Sequence, residues 1–193
     1  MRSDGSGPFR LFLIGPMGSG KSTVGKQLAS LLNCDFIDSD AEIETRSGAN
    51  IPWIFDVEGE EGFRRREAAV IADLAQRPNA VIATGGGAVI REGNRTVMAD
   101  SGVVIYLDVS LENQIKRTGS GDDRPLLKGA DKRETLSRLM QEREPLYRSI
   151  ADIIVTANAG NARKVARQIK EQLVQRALWQ AAPQNNAHSE TGK

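Results

Sequence analysis

Residues Gly15-Pro16-Met17-Gly18-Ser19-Gly20-Lys21-Ser22-Thr23 place three glycines ahead of a lysine and two hydroxyls. Glycine lets the backbone turn so that successive amides point inward, and a helix opening straight afterwards adds partial positive charge. Such a nest suits phosphate oxygens, and a triphosphate is its natural ligand. The pattern is the G-x-x-x-x-G-K-[ST] of a P-loop, and it sits between an apolar run and a helical period, as that motif requires. Lys21 is expected at the β- and γ-phosphates, Ser22 on Mg²⁺, and Thr23 on a further phosphate oxygen. A glycine-rich turn that merely caps a helix is the plainer alternative, and the flanking strand and helix weigh against it.

Asp38-Ser39-Asp40 follows a second apolar run. Read as a strand end, its period-two alternation puts both carboxylates on one face, directed at the same crevice as the P-loop. Asp38 would then serve the metal, while Asp40 would orient an acceptor hydroxyl and take its proton. Alternatively Asp40 caps the helix that follows. Phe63-Arg64-Arg65-Arg66-Glu67 carries three arginines of which only some can face inward, and Glu67, three positions after Arg64, can orient its guanidinium. The triplet Gly85-Gly86-Gly87 ends another apolar run, where missing side chains would let a ligand approach backbone amides. Arg124 lies in the stretch GSGDDRPLLKGAD over 119–131, which reads as a mobile loop, and Arg143 lies in EREPLY near a helix end.

Elements that position these residues follow from periodicity. Apolar and β-branched runs at Arg10–Ile14, Asp35–Ile37, Ala80–Thr84, Val103–Leu107 and Ile153–Thr156 predict five strands. Apolar residues three or four apart predict helices around Val24, Leu28, Leu31 and Leu32, around Phe63, Ala68, Val70, Ile71 and Leu74, and around Val165, Ile169 and Leu173. Strands alternating with helices predict an α/β fold with a parallel sheet.

The 193 residues suit one domain, expected over 9–178, with residues 1–8 and 181–193 as polar, disordered ends. With 26 basic and 25 acidic residues the formal charge is +1, which gives no footing for a nucleic-acid or membrane partner. The one cysteine, Cys34, cannot close an intrachain disulfide or build a zinc cluster. The one histidine, His188, stands in the terminal polar stretch, away from every motif. No apolar run reaches the roughly 18 residues of a membrane span, and a cytoplasmic location and a monomer are expected.

Taken in order, GPMGSGKST, FIDSD, FRRRE, TGGG, RTGSGDDRPLL and REPLYRSIAD resemble the shikimate kinase family, from about Phe9 to Leu173. The resemblance implies a five-stranded parallel sheet in the order 2-3-1-4-5 with a lid at about 117–131. It also implies transfer of the ATP γ-phosphate to the 3-hydroxyl of shikimate, with Mg²⁺, in chorismate and aromatic amino-acid biosynthesis. By position, Gly15, Gly18, Ser19, Gly20, Lys21, Ser22 and Thr23 match the family's nucleotide site, Ser22 and Asp38 its metal side, and Asp40 its acid on the substrate hydroxyl. Arg64, Arg143 and Gly85, Gly86 and Gly87 match the shikimate site, with Phe55 and Phe63 as pocket wall or plain core. Arg124 matches the lid arginine that faces the γ-phosphate, and Arg117 the residue beside adenine. Two rivals stay open here: another kinase of the same fold, acting on a substrate such as gluconate, and a module that senses ATP without turnover.

Overall fold

Leu11, Phe12, Leu13 and Ile14 are wholly buried because β1 (Arg10–Ile14) runs through the middle of the sheet. It pairs in parallel with β3 (Ala80–Ala83) on one side and β4 (Val103–Asp108) on the other. β2 (Asp35–Asp38) and β5 (Ile153–Thr156) close the edges, giving the expected order β2-β3-β1-β4-β5. A parallel neighbour can be reached only through a crossover. The helices that supply these are α1 (Lys21–Leu32), α2 (Ser39–Ser47), α3 (Ile51–Leu74), α4 (Glu92–Ser101), α5 (Leu111–Arg117), α6 (Lys132–Ile150) and α7 (Ala162–Gln175). The computed structural model describes residues 9–118, 131–157 and 161–178. Residues 119–130 of the expected lid, with Arg124, and both chain ends, with His188, lie outside the described residues.

Period-two alternation along β1 divides the core. Leu11 and Leu13 face α1 and α7, where Leu28, Val165, Ile169 and Leu173 meet them. Phe12 and Ile14 face the other layer with Ile71, Leu74, Tyr106 and Tyr147. Strands covered on both faces are continuously apolar, which is why they stand out in the sequence. Three strand ends differ by one residue from expectation. β2 and β4 extend to Asp38 and Asp108, whereas β3 stops at Ala83, although the Thr84 amide still donates to Leu13 O at 3.1 Å.

α3 begins before the periodic stretch that announces it. Asn50 caps it, accepting from the Trp53 amide at 2.9 Å, and Pro52 fits its first turn. Gly59, at φ 70° and ψ 178°, then breaks the helical geometry inside the element, so residues 51–58 and 60–74 are two helical pieces with different faces. Glu58 and Arg66 bridge the break through a paired contact of 2.7–3.2 Å. Among the described residues no helix is long and apolar enough to cross a membrane. The carboxyl ends of β1, β2 and β3 deliver the P-loop, Asp38 and the glycine triplet to one rim of the sheet.

Candidate active site

Gly15, Gly18 and Gly20 take φ of 142°, 76° and 89°, values that favour glycine. Space adds to the demand at Gly15, where a Cβ would stand 2.7 Å from Leu107 O. The loop ends at Gly20, the cap of α1, which offers no side chain to the first-turn amides. Those donors and the helix dipole face the loop. Lys21 Nζ folds over it, donating to Gly15 O at 2.8 Å and Pro16 O at 2.9 Å. Ser22 Oγ donates to Asp38 Oδ2 at 2.6 Å, so the last P-loop hydroxyl and the first acid of the turn share one spot. Arg117, at the end of α5, donates to Gly18 O at 3.3 Å.

The acidic turn is built differently from a strand end. Asp38 is the last residue of β2 and the cap of α2, its Oδ1 accepting from the Asp40 amide at 3.0 Å. Asp40 therefore sits in the first helical turn, and a cap rather than strand alternation sets its direction; the capping acid is Asp38, not Asp40. Asp40 Oδ1 is out of contact with solvent and has no hydrogen-bond partner among the described residues. Burial, reinforced by the charges of Asp38 and Glu67, pushes the Asp40 carboxyl up to about 6 against the pull of Lys21 and Arg64.

Arg64 is buried and Arg65 and Arg66 are exposed, as three consecutive helical positions demand. Its guanidinium donates to Glu67 Oε2 at 2.7 Å and to Glu60 Oε1 at 3.1 Å. Burial, partly offset by Arg64, raises the Glu67 carboxyl above its ordinary range. The triplet makes room for this cluster. A Cβ on Gly87 would lie 2.3–2.6 Å from the Arg64 guanidinium, and one on Gly85 would lie 2.7 Å from Asp40 Oδ1. The Gly85 amide is already taken, donating to Ser39 Oγ at 3.1 Å. Two of the three glycines thus accommodate the chain's own side chains, beyond the ligand access expected of them. Arg143, on α6, is 6 % exposed and forms no ion pair among the described residues, with its Nε unpartnered. Its charge is felt by Glu67 but is not paired with it, and an anionic ligand would stabilise such a buried cation further.

One cleft of about 700 Å³ takes in Gly18, Gly20, Lys21, Ser22, Thr23, Asp38, Asp40, Arg64, Gly85, Gly86, Gly87, Arg117 and Arg143, together with Phe55 and Phe63. The two rings pack at 4.8 Å between centroids, so they are wall and core at once. Ser19 is buried and, with Gly20, Thr23 and Arg117, borders a smaller adjoining cavity of about 180 Å³. Every sequence-predicted site residue within the described part is at the cleft or, for Gly15 and Ser19, in the loop that forms it; Arg124 lies outside the described residues.

A sequence model described as "Shikimate kinase" matches residues 17–174. The chain belongs to the shikimate kinase family. It is 55 % identical over 166 residues to the shikimate kinase of Halorhodospira halophila, covering 86 % of this chain and 94 % of that one. In three dimensions it resembles a shikimate kinase from Acinetobacter baumannii in complex with shikimate, with a TM-score of 0.86 and 44 % identity over 89 % of this chain and 95 % of that one. A gluconokinase from Sinorhizobium meliloti shares the fold alone, with a TM-score of 0.59 and 20 % identity over 88 % and 94 % of the two chains. Membership makes the chain an ATP-dependent kinase.

Sequence reasoning missed part of this shikimate kinase-like cleft. Glu44, Ile51 and Pro52 also line it, and Glu44 Oε1 accepts from the Ile51 amide at 2.9 Å, tying α2 to the start of α3. Ser39 gave no signal, since its partner Gly85 lies 46 residues away. Glu67 was legible as the Arg64 partner, but its approach to Asp40 was not.

Proposed function

We propose that this chain transfers the γ-phosphate of ATP to the 3-hydroxyl of shikimate, giving shikimate 3-phosphate for chorismate and aromatic amino-acid biosynthesis. The observation that carries the reading is a single cleft lined by the phosphate-loop lysine and by two buried arginines, with Asp40 feeling both Lys21 and Arg64. A phosphate donor suits the loop and its lysine, and a small carboxylate acceptor suits the arginines.

In this reading the loop amides, Lys21 and Thr23 hold the phosphates, and Arg117 stacks beside adenine. Ser22 and Asp38, two oxygen donors in contact at the loop's edge, would hold Mg²⁺, an ion that commonly takes only one or two protein oxygens beside phosphates and waters. Bound there, Mg²⁺ would neutralise phosphate charge. Arg64 and Arg143 grip the acceptor carboxylate while amides of the triplet meet ring hydroxyls. Asp40 takes the proton of the 3-hydroxyl as its oxygen bonds to the γ-phosphorus and the bond to the β-phosphate oxygen breaks. Arg124, carried by the family resemblance, faces the γ-phosphate from the lid. The chain works as a single domain over 9–178, a monomer in the cytoplasm.

The test mixes ATP and Mg²⁺ with shikimate, gluconate or no acceptor and follows ADP. Shikimate-dependent release alone is expected. Gluconate-dependent release, or binding of ATP with no turnover on either acceptor, would replace the reading.

A further inference from the structure

Tyr147 is wholly buried on α6, one helical turn beyond Arg143 and on the same face. Its ring stacks on Tyr106 of β4 at 5.1 Å between centroids and 20° between planes. Its hydroxyl donates to Gly86 O at 2.5 Å, and the Arg143 guanidinium is near enough for its charge to act on the phenol. It is not among the residues lining the cleft, and the proposed chemistry leaves it idle.

We propose that Tyr147 is a positioning residue for the acceptor end of the cleft, fixing both the Gly86–Gly87 peptide and the Arg143 guanidinium. The inference rests on the reading of that end as the shikimate carboxylate and hydroxyl site. A phenol has one proton and can accept through its oxygen lone pairs. Gly86 O can only accept and a guanidinium can only donate, so the proton goes to Gly86 and a lone pair faces Arg143. The phenol proton is therefore committed to Gly86, and the oxygen lone pairs are left to the Arg143 charge. Burial lifts the phenol above its ordinary range, which keeps that proton in place.

Both effects reach the ligand through neighbours. A peptide between two glycines rotates with little steric penalty. Holding Gly86 O fixes the plane of the peptide, and with it the Gly87 N–H on its opposite edge. A carbonyl that accepts a strong bond also makes that N–H a better donor. Arg143 forms no ion pair among the described residues, and the neighbouring phenol oxygen is what would orient its guanidinium. Tyr106 backs the ring from the sheet, so the arrangement is referenced to a rigid strand.

The test is Tyr147→Phe, which keeps the stack and deletes only the hydroxyl, with Tyr106→Phe as a matched control and Arg143→Ala in the same assay. For Tyr147→Phe we expect the shikimate KM to rise about tenfold while the ATP KM stays within about twofold. Tyr106→Phe, whose hydroxyl contacts Asp108 at 3.4 Å, is expected to leave both constants unchanged. An unchanged shikimate KM in Tyr147→Phe, an equal rise for both substrates, a like effect in Tyr106→Phe, or loss of the folded state on thermal melting overturns the inference. If Arg143→Ala raises the shikimate KM and Tyr147→Phe does not, this inference alone falls. If Arg143→Ala also leaves it unchanged, the acceptor-site reading falls with it.

Discussion

Asp40 Oδ1 and Glu67 Oε1 converge on one glycine: a Cβ on Gly85 would stand 2.7 Å from the first and 2.8 Å from the second. Neither oxygen has a hydrogen-bond partner among the described residues. Glu67 is held by Arg64 through its other oxygen, so its charge is balanced on one side and pressed against Asp40 on the other. The acid proposed to take a proton is thus tuned by the acid that aims the substrate-facing arginine. The coupling matters because a base is most useful when its pKa lies near working pH.

The first consequence is a pH limb. Asp40 must be ionised to accept a proton, so kcat/KM for shikimate should fall as pH drops through about 6. Glu67→Gln removes a neighbouring negative charge and leaves Arg64 to favour ionised Asp40. Both changes act in the same direction. The limb should move to lower pH, as initial rates across a buffer series would reveal; a limb that stays put or moves up would separate the two carboxyls.

Asp40→Asn should abolish proton acceptance while making the fold more stable. The unfolded carboxyl titrates near 3.8 and the folded one near 6, so between those values the native state takes up the proton. The cost of the buried charge is absent below the lower value and complete above the upper one. Asparagine removes it. Chemical denaturation should show the variant more stable by about 1–3 kcal/mol at pH 7.5, with the gap closing towards pH 4. A variant less stable than wild type at pH 7.5 contradicts the assignment.

Gly87→Ala tests whether the triplet exists to seat Arg64. The backbone there lies outside the left-handed region, and the three atoms nearest the added methyl all belong to the guanidinium, at 2.3–2.6 Å. Arg64 is held by Glu60 and Glu67, and the methyl must drive it from that place. Shikimate affinity by calorimetry should drop at least about tenfold, with ATP affinity little changed. Gly93→Ala in α4, where nothing lies within 4 Å of the added carbon, should bind both as wild type and gain about 0.5–1 kcal/mol of stability.

These predictions also mark where sequence is legible. The P-loop could be read letter by letter because its glycines, lysine and hydroxyls act within nine consecutive residues. The sheet could be read because strands covered on both faces are continuously apolar. Asp38 and Asp40 were found together for the wrong geometric reason, since a cap and a strand end both tolerate that spacing. The start of α3 was lost because Gly59 changes the helix face and dissolves the periodicity. Least legible was what the glycines serve: Gly85 and Gly87 yield space to side chains 18 to 45 residues earlier, a relation no local pattern encodes.

Ser22→Ala addresses the metal side. Ser22 Oγ and Asp38 Oδ2 are 2.6 Å apart, and Asp38 spends its other oxygen on the α2 cap. Deleting the hydroxyl leaves that cap intact, so α2 and Asp40 should keep their positions and the melting temperature should hold. One oxygen ligand would nonetheless be gone from the proposed Mg²⁺ position. At fixed ATP, the Mg²⁺ concentration giving half-maximal rate should rise about tenfold, while the shikimate KM stays as in wild type. An unchanged Mg²⁺ requirement would remove Ser22 from the metal and leave it as a hydrogen-bond donor that merely steadies the acidic turn.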